Sequence, residues 1–84
     1  MPVSPAPVSK AALQFGERVR AHRHELGLSQ EALAQACDLH WTFLGQVERG
    51  RRNLTLHNIL KIARGLGVDP GDLVRGLKPP RGGA

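Results

Sequence analysis

The sequence has little of what marks several classes of protein. Cys37 is the only cysteine among 84 residues, which excludes an intramolecular disulfide and the paired cysteines of a zinc finger. Aromatic residues make up 4% of the chain, so a core has to be built from Leu, Val, Ile and Ala. No apolar run approaches the roughly 20 residues of a membrane helix, and Met1–Ser9 lacks the basic start and apolar stretch of a secretory signal. We expect a cytoplasmic protein, associated with the nucleoid if it binds DNA.

Acidic residues are also few. Seven Asp and Glu stand against twelve Lys and Arg, which gives a formal net charge of +5. This balance favours a polyanionic partner, either nucleic acid or an anionic membrane surface, without choosing between them. The length fits one small domain. There is no glycine-rich phosphate loop, acid pair, catalytic triad or metal-ligand spacing, so we expect no enzyme activity, no cofactor and no metal.

Proline and glycine divide the chain into three parts. The prolines at 2, 5 and 7 predict a flexible arm over residues 1–9, and the Pro- and Gly-rich residues 78–84 predict a flexible tail. The folded domain is expected over residues 10–77. No segment there alternates polar and apolar residues as a strand does, whereas helical spacing recurs, so the sequence predicts an all-α, compact bundle of five short helices.

Caps and apolar spacing place these helices. The predicted segments are 9–26, 30–36, 40–49, 55–66 and a short one that begins after Asp69. The start of the third is left open between His40 and Trp41. The residues expected to face the core include Phe15, Val19, Leu26, Leu33, Ala34, Leu44, Val47, Leu56, Ile59, Leu60, Ala63, Leu73 and Val74.

The second and third helices have the features of a helix-turn-helix. Two helices that cross steeply need a small residue at the crossing, which Ala34 supplies. The turn needs a residue that tolerates a left-handed backbone, and Asp38 reaches that region more readily than most residues. Leu39, Leu44 and Val47 would anchor the third helix. Its outward residues would be Trp41, Thr42, Gly45 and Gln46.

Residues 29–50, SQEALAQACDLHWTFLGQVERG, resemble the phage-repressor and Cro-like helix-turn-helix family, also called the Xre family. The likeness continues through LHNILKIARGLGVDP and covers about residues 15–77. It implies a lambda-repressor-like DNA-binding domain and a transcriptional regulator that binds double-stranded DNA in a sequence-specific manner. The family usually has Gly where this chain has Asp38, and Ser or Thr where it has His40.

The resemblance also implies a DNA-contacting surface. Base contacts fall on Trp41, Thr42 and Gln46, where Gln46 could pair bidentately with adenine or offer one donor to guanine. Phosphate contacts are expected from Gln30, Arg49, Arg51, Arg52 and Asn53. A family ion pair that joins the first helix to the third maps onto Arg23 and Glu48.

Members of the family usually bind palindromic operators as dimers. The apolar C-terminal residues predict the self-contact surface of a homodimer, unless they all complete the core of one chain. These residues are Leu66, Val68, Leu73, Val74 and Leu77. Alternative functions are an antitoxin or restriction-controller type regulator whose main partner is another protein, an adaptor that has lost DNA binding, and an RNA-binding protein.

Overall fold

A computed structural model describes residues 6–81, so Met1–Pro5 of the predicted arm and Gly82–Ala84 of the tail lie outside the described part. Five helices occur in it, and no strand is present between residues 6 and 81. They are α1 Lys10–Glu25, α2 Gln30–Cys37, α3 Trp41–Glu48, α4 Leu56–Leu66 and α5 Pro70–Val74. The predicted all-α bundle is confirmed. None of these helices is long and apolar enough to cross a membrane.

Most helices begin at the caps that the sequence predicts. Ser9 Oγ accepts the amide hydrogen of Ala12 at 3.0 Å, and Ser29 Oγ accepts that of Ala32 at 3.0 Å. These bonds satisfy amide groups that have no partner inside the first helical turn. Thr55 caps α4 and Asp69 caps α5 in the same way. The prediction errs by only one residue at the start and end of α1, because Ser9 and Leu26 are its caps.

The core lies where α1, α2, α3 and α4 meet, and α5 closes it with Leu73. Its buried apolar residues are Phe15, Val19, Leu33, Ala34, Cys37, Leu44, Val47, Ile62, Ala63, Leu66 and Leu73. Burial raises the pKa of Cys37 to about 11, although Arg64 opposes the shift by its charge. Cys37 is therefore a neutral packing residue, since the reactive species of cysteine is the thiolate.

Two glycines allow the helices to approach closely. A Cβ atom at Gly16 would meet the carbonyl oxygens of Val47 and Glu48, so α1 crosses α3 backbone against backbone. A Cβ atom at Gly65 would meet Cys37 Sγ, so α4 lies equally close to α2. Both contacts fix α2 and α3 relative to the rest of the bundle, because larger side chains at 16 and 65 would push the helices apart.

Four residues predicted to face the core are exposed. Leu26 lies beyond the end of α1, and Leu28 packs on the core in its place. Leu56 and Leu60 are 68% and 43% exposed, because α4 is rotated so that Ile62 and Leu66 are buried together with Ala63. Val74 is 39% exposed because Leu73 alone fills the space beneath α5. Those four predictions are wrong.

Candidate nucleic-acid interface

The turn between α2 and α3 is built around Asp38. Its backbone has φ 57° and ψ 47°, the left-handed conformation that the sequence predicts, and it is the single non-glycine residue with positive φ between residues 6 and 81. The amide of Leu39 donates to Ala34 O at 2.9 Å, which closes the end of α2. The chain then begins α3 at Trp41, with Leu39 half-buried against the core.

His40 begins α3. Its Nδ1 accepts the amide hydrogen of Thr42 at 3.1 Å. The imidazole nitrogen thus serves as the N-cap acceptor, in place of the hydroxyl oxygen of Ser or Thr at other helix starts. This places the first helical residue at Trp41, the later of the two starts that the sequence left open. The rings of His40 and Trp41 are stacked, with 6.0 Å between their centroids.

One side of α3 is buried and part of the other is open. Leu44 and Val47 are 0% and 1% exposed. Trp41 is 53% exposed, Thr42 is exposed and Gln46 is half-buried. These three side chains are the predicted base-contacting residues, and they share the side of α3 that faces away from the core.

Gly45, in contrast, is buried, and the prediction that it faces outward is wrong. A Cβ atom there would lie 3.4 Å from Gln30 Oε1 and 3.5 Å from Arg49 Nη1. The side chains of Gln30 and Arg49 therefore cover this point of α3. The exposed face of α3 is interrupted at its middle.

A buried ion pair ties α1 to the end of α3. Arg23 Nε donates to Glu48 Oε2 at 2.7 Å and Arg23 Nη2 donates to Glu48 Oε1 at 2.9 Å. Arg23 Nη1 also donates to Leu28 O at 2.9 Å. The two residues are 8% and 6% exposed. The bidentate geometry fixes both side chains, so α3 cannot rotate without breaking these bonds.

Gln30 extends this pair to α2. Its Nε2 donates to Glu48 Oε1 at 3.0 Å, a bond that the sequence did not indicate. The side chain expected to contact phosphate is thus already bonded inside the protein. A primary amide carries two hydrogens, so the other N–H of Gln30 can still be donated to an external acceptor at the start of α2.

The arginines after α3 have unequal surroundings. Arg49 and Arg52 are exposed, as is Asn53, whereas Arg51 is half-buried. Arg51 Nε is buried without a hydrogen-bond partner among the described residues. Arg52 Nε donates to Gln46 Oε1 at 2.6 Å, and its guanidinium lies 5.3 Å from the centroid of the Phe43 ring. Arg52 therefore lies against α3, a contact that no feature of the sequence predicted.

The predicted self-contact surface is partly inside the chain. Leu66 and Leu73 are 4% and 0% exposed, because both pack into the core of the single chain. They cannot contact a second copy, and their inclusion in that surface is corrected. Val68 and Leu77 are half-buried and Val74 is exposed, so these three keep part of their apolar area available.

A family model described as a helix-turn-helix domain matches residues 14–77. The match spans α1 to α5 except for the first residues of α1. The chain belongs to the helix-turn-helix family, as the resemblance of its α2–α3 segment implied. It is accordingly of the class of DNA-binding transcriptional regulators.

Several of the proteins similar to this chain are control proteins of restriction-modification systems or carry the name control protein. The control protein C.BamHI of Bacillus amyloliquefaciens is 51% identical over 63 residues, which cover 74% of this chain and 78% of that protein. The control protein C.SmaI of Serratia marcescens is 41% identical over 70 residues, which cover 81% and 83%. Among solved structures, the restriction-modification controller protein C.AhdI of Aeromonas hydrophila matches with a TM-score of 0.72 at 47% identity, over 74% of this chain and 94% of that one.

Proposed function

We propose that this chain binds double-stranded DNA in a sequence-specific manner as a homodimer, with α3 in the major groove, and that it has no enzymatic activity. The observation that carries the proposal is the two-sided character of α3. Leu44 and Val47 fix the helix to the core, whereas Thr42 is exposed and the half-buried Gln46 contacts Arg52. A helix exposed in this way fits the major groove and brings its first residues to the base edges.

The three predicted base-contacting residues of α3 offer different contacts. Thr42 can hydrogen-bond a base or place its methyl group against that of thymine, and Gln46 can hydrogen-bond a purine. Trp41 has no paired donor and acceptor, so we assign it apolar contact with a thymine methyl group or a sugar. Together these side chains supply the sequence-dependent part of the binding free energy.

The basic residues supply the part that does not depend on sequence. Arg49, Arg51, Arg52 and Asn53 follow α3 directly, and we assign them to the phosphates beside the groove. At the start of α2, Gln30 and the helix N-terminus would hold a further phosphate, since unpaired helical N–H groups attract anions. Neutralising these phosphates releases counterions, so affinity should fall steeply with salt.

A homodimer is proposed because one reading helix contacts few base pairs. Val68, Val74 and Leu77 would form the self-contact surface. Two copies related by a two-fold axis would contact half-sites about 34 Å apart, one turn of DNA. The expected operator is therefore a palindrome.

We further propose that the chain regulates the genes of a restriction-modification system. The observation that favours this assignment is its similarity to control proteins over most of both chains. The protein would then act in the cytoplasm, bound to the chromosome near those genes. Genes for a restriction endonuclease and a methyltransferase next to this one, with the operator upstream, are the expected arrangement. A toxin gene in their place would favour the antitoxin alternative.

The DNA-binding proposal predicts two distinguishable kinds of variant. Gln46→Ala should lose about 1–3 kcal/mol of discrimination at one base pair, because a base contact is removed. Arg51→Ala should weaken binding to all sequences alike and lower the salt dependence by about one phosphate. Fluorescence anisotropy with a set of single-base-pair operator variants at several salt concentrations measures both. Identical profiles for the two variants would contradict the assignment of α3 as the reading helix.

A further inference from the structure

The contact between Arg52 and Gln46 restricts what Gln46 can read. Gln46 projects from α3, and Arg52 reaches it from the loop that follows the helix, with 2.6 Å between Arg52 Nε and Gln46 Oε1. The Phe43 ring, 5.3 Å from the Arg52 guanidinium, supports the same position. An arginine on the face of an aromatic ring is attracted by the ring electrons. The guanidinium is thus held from two sides.

The chemistry of the two groups fixes the orientation of the amide. An arginine has only donors, whereas a glutamine amide has an oxygen that accepts and a nitrogen that donates. The oxygen of Gln46 must therefore face Arg52, and the NH₂ group must face the other way. A flipped amide would set two donors against each other at 2.6 Å, so this orientation follows from the partner and not from the shape of the side chain.

The oriented amide discriminates between the two purines. Adenine presents one acceptor and one donor in the major groove, so bidentate pairing needs both ends of the amide. Guanine presents two acceptors, N7 and O6. Beside Arg52 one of the two lone pairs of the Gln46 oxygen is occupied by Arg52 Nε–H, and the positive guanidinium lies next to that oxygen, so the side chain meets the base mainly as a donor. Such a side chain matches the two acceptors of guanine better than the acceptor and donor of adenine.

We infer that Arg52 is a positioning residue that makes Gln46 select guanine over adenine. The inference rests on the proposed DNA binding through α3 and deepens it, because it names the base and the residue that sets the choice. It also separates Arg52 from Arg51, whose hydrogen bond to Gln46 is made by the backbone alone: the Arg51 amide donates to Gln46 O at 2.9 Å. Loss of Arg51 removes charge alone, whereas loss of Arg52 removes charge and frees the oxygen of Gln46.

The test uses four duplexes that differ at a single base pair. This is the base pair at which the Gln46→Ala variant loses discrimination between bases. The full chain should bind the duplex with guanine about tenfold more tightly than the one with adenine. Arg52→Ala should lower affinity for the guanine duplex far more than for the adenine duplex, so that the preference disappears or reverses. The matched control Arg51→Ala loses the same charge and should lower affinity for all four duplexes by the same factor. Thermal unfolding of each variant shows that it is folded.

Three results would overturn the inference while leaving DNA binding intact. They are a preference of the full chain for adenine at this base pair, an equal effect of Arg52→Ala on all four duplexes, and no base pair at which Gln46→Ala changes discrimination. Failure of the full chain to bind any duplex would instead refute the proposed function, and the inference with it.

Discussion

Arg23 and Glu48 are the buried charged residues of the described chain, and their energetics differ from those of the exposed pairs. Desolvation of two charges offsets much of their attraction, so such a pair need not be more stable than an apolar one. Removal of one partner is different, because the other charge stays buried without compensation. The bonds from Arg23 and Gln30 to Glu48 make this carboxylate the point where α1, α2 and α3 are joined.

Glu48→Gln should therefore destabilise the fold strongly. The variant keeps the size of the side chain but leaves the charge of Arg23 buried, at an expected cost of about 3–5 kcal/mol. Urea denaturation measures the change in the free energy of unfolding. Asp72→Asn is the matched control, because Asp72 pairs with Arg75 on the surface with 43% and 73% of the side chains exposed. That variant should lose less than about 1 kcal/mol, and a similar loss in both would contradict a buried, coupled pair.

Single residues also show which features of the candidate site could be predicted from the sequence. The polar and apolar sides of α3 follow from its spacing, apart from Gly45, whose burial depends on side chains from Gln30 and Arg49. The bond between Arg52 and Gln46 could not be predicted, because it depends on the path of the loop after Gly50. Loop conformation is set by the packing around it and not by a periodic pattern.

Among the elements, helix boundaries were the most predictable feature, since capping residues act locally. The buried face of α4 was predicted less well. Leu56, Ile59, Leu60 and Ala63 form a helical stripe, but so do residues 59, 62, 63 and 66, and the second stripe faces the core. With apolar residues around more than half of a helix, spacing alone does not choose between the two. In the structure α4 presents Gly65 to Cys37, where a Cβ atom would clash with Cys37 Sγ, a close approach that is compatible with the second stripe.

The turn between α2 and α3 carries a conformational cost that can be measured. A left-handed backbone costs an L-residue about 1–2 kcal/mol, less for Asp and Asn and least for Gly. Asp38→Gly should therefore stabilise the chain by about 0.5–1 kcal/mol, and Asp38→Ala should destabilise it by a similar amount. Thermal unfolding gives the order of the variants, with Asp38→Asn close to the original chain. A less stable Asp38→Gly variant would show that the Asp38 side chain stabilises the turn by more than its backbone costs.

At the level of the whole molecule, the charged and apolar surfaces suggest separate tasks. Basic residues cluster around the end of α3, whereas the apolar residues still partly exposed near α5 are Val68, Val74 and Leu77. The net charge of +5 predicted a polyanionic partner but not where it binds. Leu73 was predicted both to face the core and to contact a second copy, and for Leu66 and Leu73 the sequence could not choose between these roles, because both a core and an interface need apolar residues.

Val74→Asp tests the proposed dimer surface. A carboxylate at this position would have to be desolvated in the interface, so the variant should sediment as a monomer. Its affinity for a palindromic operator should fall about a hundredfold, because two linked half-site contacts become independent. Leu26→Asp is the matched control, since Leu26 is also an exposed apolar residue but lies at the end of α1. It should remain dimeric, and a dimer of unchanged affinity in Val74→Asp would place the interface elsewhere.

The most direct test of DNA reading by α3 is selection of duplexes from a random pool by the intact chain, repeated with the variant Thr42→Ala/Gln46→Ala. We predict that the intact chain enriches a two-fold symmetric sequence with half-sites about 10 base pairs apart, and that the variant enriches a sequence relaxed within each half-site. Enrichment of the same sequence by both proteins, or of none by the intact chain, would contradict it.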